Sequence, residues 1–370
     1  MKRLIYADNA ATTQLDIDAF EAMKPYMLYE FGNPSQKYTF SRPAREAIQN
    51  ARLTIANCIG AQPEEIFFTS GGTESDNWVI KRDRVNKHII TSAFEHHAIL
   101  NSCAAFENNG GTVQYITPTK EGIITPERLE IAIKENTGLV SIMFANNELG
   151  TIQPIKELSQ VSHKYGIPFH TDAVQAVGHI PINVNAIGID MLSASAHKFH
   201  GPRGIGFLYI RNGSHKEPFM NGGAQESGYR AGTENTPAIV GMAVALKKSC
   251  DGMHKFTEHI NTLESILLSD LIAAKVQFVR NGETNTLPGL ISLSFCGKDG
   301  EAIMHRLDLL GIAVSTGSAC DSHNTEISHV LHAINLDSEL AKGTIRISIG
   351  RNNTIQDAHE IAMALIKAVS

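Results

Sequence analysis

The sequence predicts an α/β protein with a large unit on a mostly parallel, seven-stranded sheet and a smaller α+β unit. Three observations carry this. The chain has 370 residues, more than one core usually serves. From about residue 40 to 250, short apolar runs alternate with helix-period stretches, the signature of strands crossed over by helices. After about residue 250 that alternation stops.

In chain order, the strand candidates are Glu65–Thr69, His88–Ser92, Thr112–Ile116, Leu139–Ala145, Pro168–Asp172, Met191–Ser195 and Gly206–Ile210. Each is short, apolar and flanked by turn residues. Helix-period stretches lie between them, at Arg42–Ile59, Thr125–Lys134 and Ile155–Tyr165. A long helix is expected near Ile239–Ala273, then strands at Gly289–Phe295, Ile312–Ser315 and Thr344–Ser348. A last helix runs from about Thr354 to Val369. The large unit is placed at residues 13–250. The smaller one takes both chain ends, residues 1–12 and 251–370.

Composition excludes several classes. Hydrophobic residues make up 42% and charged residues 19%, which suits a buried core and not a disordered chain. The net charge of −6 gives no general attraction to nucleic acid. No apolar run approaches the ~20 residues of a membrane span, and the start resembles no signal peptide. The five cysteines, Cys58, Cys103, Cys250, Cys296 and Cys320, have neither metal-knuckle spacing nor the look of a disulfide framework. A soluble, cytoplasmic protein with no metal centre is expected.

The chemistry-bearing segments sit after the strands, where ligands of such sheets bind. Lys198 lies in Ser195-Ala196-His197-Lys198, between an apolar strand and a Gly/Pro-rich turn. A lysine so placed can form a Schiff base with a carbonyl; alone it reads equally as a turn lysine. Asp172 closes another strand in His170-Thr171-Asp172. It can face a pyridine nitrogen and keep it protonated, or merely cap a helix. Gln175, three residues on, can donate to a ring oxygen. Ser70-Gly71-Gly72-Thr73 opens a helix after a strand, and the N–H groups there attract phosphate. Gly72 and Thr73 are the expected contacts, with Ser195 and His197 converging on them. In Glu95-His96-His97, His96 is the candidate for stacking on a flat ring and for moving protons. A Schiff-base lysine, a carboxylate, a phosphate cradle and a stacking imidazole are the parts a pyridoxal 5'-phosphate site needs.

These segments occur together with Asn146-Asn147-Glu148-Leu149-Gly150, Gly222-Gly223-Ala224-Gln225-Glu226 and Arg230-Ala231-Gly232-Thr233-Glu234-Asn235. With them, the chain resembles the cysteine desulfurases, class V aminotransferases among the fold-type I pyridoxal-phosphate enzymes. The resemblance runs from Tyr6-Ala7-Asp8-Asn9-Ala10-Ala11 to Arg346-Ile347-Ser348-Ile349-Gly350-Arg351. It implies that Lys198 binds the cofactor. Asp172 then meets the pyridine nitrogen, Gln175 the phenolic oxygen and His96 the ring face. Gly72, Thr73, Ser195 and His197 hold the phosphate. Thr233 reaches a site of the other subunit in a homodimer. Asn147 lies beside the ring and the substrate carboxylate, which Arg346 grips. Cys320, in Ser318-Ala319-Cys320-Asp321, takes sulfur from L-cysteine, with His96 as acid and base at the thiols.

The length from Cys320 to Leu331 resembles the long-loop subgroup, the general sulfur donors. A sulfur-acceptor protein is therefore implied, with an iron–sulfur scaffold, a tRNA-thiolation protein and a DNA-sulfur modification protein all open. The neighbouring functions are a selenocysteine lyase, another class V enzyme, or a partner-binding protein that keeps the fold without the chemistry. The chain departs from the family pattern at Tyr38, Gly289 and Ile327, none of them in the implied cofactor shell.

Overall fold

The computed structural model describes residues 3–81, 88–214, 217–282, 285–316 and 327–370. Its strands are β1 (Ile5–Tyr6), β2 (Ile66–Thr69), β3 (His88–Ser92), β4 (Thr112–Ile116), β5 (Thr137–Ser141), β6 (Phe169–Asp172), β7 (Met191–Ser195), β8 (Gly206–Ile210), β9 (Val279–Asn281), β10 (Leu290–Ser294), β11 (Ile312–Ala313) and β12 (Thr344–Ser348). Among the described residues the main sheet has seven strands, in the order β2-β8-β7-β6-β5-β3-β4. β8 runs antiparallel to both neighbours, and the other pairs are parallel. The expected α/β fold with a mostly parallel seven-stranded sheet is present.

The sequence pattern explains this sheet. Helices cover both faces of a parallel sheet, so its strands read as unbroken apolar runs. β2, β3, β6, β7 and β8 are buried at every position. The edge strand β4 instead alternates exposed and half-buried side chains. Four helices set the site's surroundings: α1 (Ile17–Leu28), α2 (Arg42–Ile59), α3 (Gly72–Lys81) and α4 (His97–Asn108). In α2 the buried residues are Ala44, Ala47, Ile48, Ala51, Ile55, Ala56 and Ile59, one stripe at helical spacing.

Two expected elements differ most, while others, such as the strand Ile312–Ala313 and the helix Pro126–Ala132, are shorter than expected. The strand expected over Leu139–Ala145 ends at Ser141. Ile142 and Phe144 still donate to the carbonyls of His170 and Asp172, but Asn146 then turns the chain. Its Oδ1 accepts from the N–H groups of Glu148 and Leu149, both at 2.9 Å. The long helix expected near Ile239–Ala273 is two helices, Thr236–Asp251 and Met253–Ala273. The break is Gly252, at φ −94° and ψ 1°. A Cβ there would lie 2.4 Å from the Phe256 ring, so only glycine lets that ring fold against the backbone.

The largest core lies around the main sheet and includes Ile55, Phe68, Ile142, Phe169, Phe207 and Met242. Val330, Leu331 and Ile334 also pack into it. A second core joins Ile5 and Ala7 to Leu267, Ile291, Leu307, Ile347 and Leu365. It covers the sheet β12-β10-β9 and the pair β1-β11. Among the described residues no helix is long and apolar enough to cross a membrane.

Candidate active site

The carboxyl ends of β2, β3, β6 and β7 share one rim of the sheet, because these strands run parallel to one another. A cavity of about 310 Å³ opens there. It is lined by Gly72, Thr73, His96, Asn147, Asp172, Gln175, Ser195, His197, Lys198 and Arg346. These are ten of the residues singled out from sequence, and the fold brings them together from both chain halves.

Each is held by its element. Lys198 ends a short 3₁₀ turn that leaves β7. Its Nζ donates to the carbonyl oxygens of Ala10 at 2.5 Å and Ala11 at 3.0 Å, so the N-terminal segment forms one wall. Gln175 Nε2 also donates to Ala10 O, at 2.9 Å. Asp172 ends β6, and its Oδ1 accepts from Val174 N–H at 2.9 Å. His96 caps α4: its Nδ1 accepts from Ala98 N–H at 3.1 Å, which leaves any ring proton on Nε2. His197 Nδ1 lies 3.1 Å from Thr12 Oγ1. Arg346, on β12, is almost wholly buried and pairs with Asp8 at 2.8 Å. Its second Nη donates to Asn147 O at 3.0 Å.

Burial dominates the electrostatics. It pulls His96 down to about 4, helped by the charge on Lys198 and by His97 and His329. Burial, then Lys198 and Arg203, pull His197 to about 4. Both rings are therefore neutral at pH 7. Burial raises Asp172 to about 6, against the Val174 N–H and Lys198, which favour its charged form.

At the segment expected from sequence to cradle phosphate, the backbone is tightly packed. Gly71 stands at φ 150°, and its missing Cβ would lie 3.3 Å from Ser195 Oγ. A Cβ on Gly72 would lie 2.5 Å from Val174 Cγ2. The backbone at the start of α3 is thus closed by its neighbours and bare of side chains toward the cavity. The first N–H groups of a helix have no partner within it, so they remain available to an anion.

Thr233 is not among the residues that line this cavity. Thr233 lines a separate space with Ser70, Gly204, Glu226, Arg230 and Glu234. Cys320 lies outside the described residues. Sequence reasoning gave no role to three buried groups nearby. Asp76 lines the cavity itself, Glu95 precedes His96, and His170 sits two residues before Asp172. Glu95 and His170 stood inside the quoted motifs and Asp76 three residues beyond one of them, but burial of such a group leaves no pattern in one sequence. The Ala10 and Ala11 carbonyls were equally silent, because backbone atoms have no sequence signal.

The sheet, the lysine after β7 and the carboxylate ending β6 define a fold-type I enzyme. The chain belongs to the class V aminotransferase family, which matches residues 5–361. It is 48% identical over 363 residues to the cysteine desulfurase IscS of Dictyoglomus turgidum, covering 96% of this chain and 92% of that one. It is 45% identical over 365 residues to the cysteine desulfurase IscS of Methanosarcina thermophila, covering 97% and 90%. Among solved structures, a NifS-like protein superposes with a TM-score of 0.92 at 35% identity over 99% of both chains. SspA in complex with cysteine gives 0.83 at 38% identity, over 96% of this chain and all of that one.

Proposed function

We propose that this protein is a pyridoxal 5'-phosphate-dependent cysteine desulfurase. It converts L-cysteine to L-alanine and leaves a persulfide on Cys320. The observation that carries this is the single cavity that gathers Lys198, Asp172, His96, Gln175, Asn147 and Arg346 beside a bare helix start. The family supports it, since class V aminotransferases use pyridoxal phosphate and the relatives named above are cysteine desulfurases.

The residues fit the cofactor. Lys198 would hold its carbonyl carbon, Asp172 its pyridine nitrogen and Gln175 its phenolic oxygen. Gly72, Thr73, Ser195 and His197 would hold its phosphate, and His96 would cover its ring. When bound, the group supplies an electron sink for the substrate's α-carbon.

The chain's own residues do the rest. Arg346, aligned by Asp8, orients the substrate carboxylate, with Asn147 beside it. The Lys198 amine would move the substrate's α-proton. His96 is neutral, so it can take a thiol proton, and the Cys320 thiolate attacks the substrate sulfur. The sulfur–sulfur bond forms as the carbon–sulfur bond breaks. The electron pair stays on the substrate carbon, which takes a proton to become the methyl group of alanine. The persulfide then passes to an acceptor protein for iron–sulfur assembly or thiolation. A homodimer in which Thr233 serves the opposite site belongs to the same reading. So does the division into units at residues 13–250 and at the two chain ends.

Cys320→Ser separates the steps. It should bind cofactor and L-cysteine with the parental spectral change and release no sulfide above background. Parental desulfuration by this variant would make Cys320 structural. Borohydride reduction of the loaded protein, followed by peptide mapping, should put the label on Lys198; a label on any other lysine sinks the cofactor assignment.

A further inference from the structure

At the wall of the cavity lies a buried acidic cluster of which the proposed reaction uses only Asp172. Asp76 in α3, Glu95 before α4 and Asp172 on β6 are all buried, as is His170. Neither carboxyl oxygen of Asp76 accepts a hydrogen bond of good geometry, although the Ser193 hydroxyl lies close enough to favour its charged form, and Glu95 Oε2 has no partner. His170 Nε2 is 3.8 Å from Asp76 Oδ1. Both its ring nitrogens are already engaged, Nδ1 by Ser141 Oγ at 2.8 Å and Nε2 by Ser193 Oγ at 3.0 Å.

Three carboxylates cannot all be charged here. A buried charge without donors is strongly disfavoured, and like charges in one site force protons onto some of its members. The donors are unevenly shared. Asp172 has the Val174 N–H and the nearby charge of Lys198. Glu95 has the Ser92 hydroxyl at 2.5 Å and Met143 N–H at 2.9 Å, on one oxygen only. Asp76 has the poorest set.

We propose that Asp76 is a positioning residue held protonated and neutral, so that Asp172 remains the carboxylate presented to the pyridine nitrogen. The second half rests on the cofactor reading above. The directions agree. Burial and then Asp172 push Asp76 well above the ordinary carboxyl range, while the Ser193 hydroxyl opposes them. Burial raises Glu95 to about 8. Asp172, the member with both an N–H donor and a nearby cation, is therefore the one whose charge the site favours. Groups with separated protonation in one site divide the work of acid and base in this way.

The groups around Asp76 are few. β6 gives Asp172 and His170, β7 gives Ser193, and the turn after β3 gives Glu95. α4 gives Cys103, whose thiol is pushed up to about 12 by burial and then by Glu95. β2 and β8 carry no charged side chain.

Infrared spectroscopy tests the protonation directly. The full chain, labelled with carboxyl-¹³C aspartate and freed of cofactor, is measured at a pH above Asp172's value of about 6. A protonated-carboxyl C=O band should shift with the label. The band should persist in Asp172→Asn and vanish in Asp76→Asn. Absence of such a band, or its survival in Asp76→Asn, overturns the proposal. If Asp76→Asn does not fold, the labelled parent and Asp172→Asn chains still decide it: the band must be present in both. This measurement needs no cofactor, so its result is separate from the Lys198 labelling. The positioning half is read from the visible band of the loaded protein against pH. The parent should show an alkaline transition that Asp76→Asn lacks. Identical profiles, with Lys198 labelled in both, would overturn that half.

Discussion

Lys198 and Asp172 are ordinary residues made unusual by what surrounds them. Lys198 ends a turn and is drawn against two carbonyl oxygens. Asp172 keeps its carboxyl against Val174 N–H in a buried cavity. Asp172→Asn keeps that hydrogen bond, because the amide oxygen can accept it. The variant should therefore fold and bind cofactor. On the proposed reading it loses the negative charge that would hold the pyridine nitrogen protonated, and turnover should fall by about 10²-fold or more, the scale for losing one preorganised electrostatic partner. Near-parental turnover with a parental spectrum would remove Asp172 from its role. Such residues were legible because each stands at the end of an apolar strand, where the sequence marks the rim of the sheet. Asp76 was not. It sits in the same glycine-led run as Gly72 and Thr73, and only the fold shows that it faces β6.

At the scale of elements, strands buried on both faces were the clearest signal. β3, β4, β7, β8 and β12 have the bounds expected from sequence. The losses came where local contacts overrode the pattern: the Asn146 turn that ends β5, and the Phe256 ring at Gly252. The junction of α3 with the loop after β6 makes a prediction. Gly72→Ala would place a methyl 2.5 Å from Val174 Cγ2, and Val174 is the residue whose N–H anchors Asp172. Relief of that clash moves the anchor. Stability should drop by about 1–3 kcal/mol, the usual cost of overpacking, and cofactor affinity should fall with it. Denaturant unfolding and a cofactor titration measure the two effects. Unchanged affinity would show that the cradle and the Asp172 anchor are not coupled through Val174.

At the scale of the whole molecule, the chain presents an apolar belt. Ile17, Met27, Leu28, Tyr29, Phe31, Tyr38 and Phe40 are all more than half exposed, on and just after α1. Exposed apolar surface of this kind marks an interface, which supports the homodimer reading. Thr233 adds a second reason. In its own chain it lines a space behind Ser70, apart from the cavity that holds Lys198. A two-fold arrangement would let Thr233 of each chain complete the opposite site. Subunits carrying Thr233→Arg and subunits carrying Lys198→Ala should each be inactive alone. In a mixed dimer with shared sites, one site carries both lesions and the other carries neither. After mild dissociation and random remixing in equal amounts, half the dimers are mixed, so about a quarter of all sites should regain activity. If Thr233 serves its own chain, every site in the mixture keeps one lesion. Mixed dimers, shown to form by mass and yet inactive, would then place Thr233 in its own subunit's site.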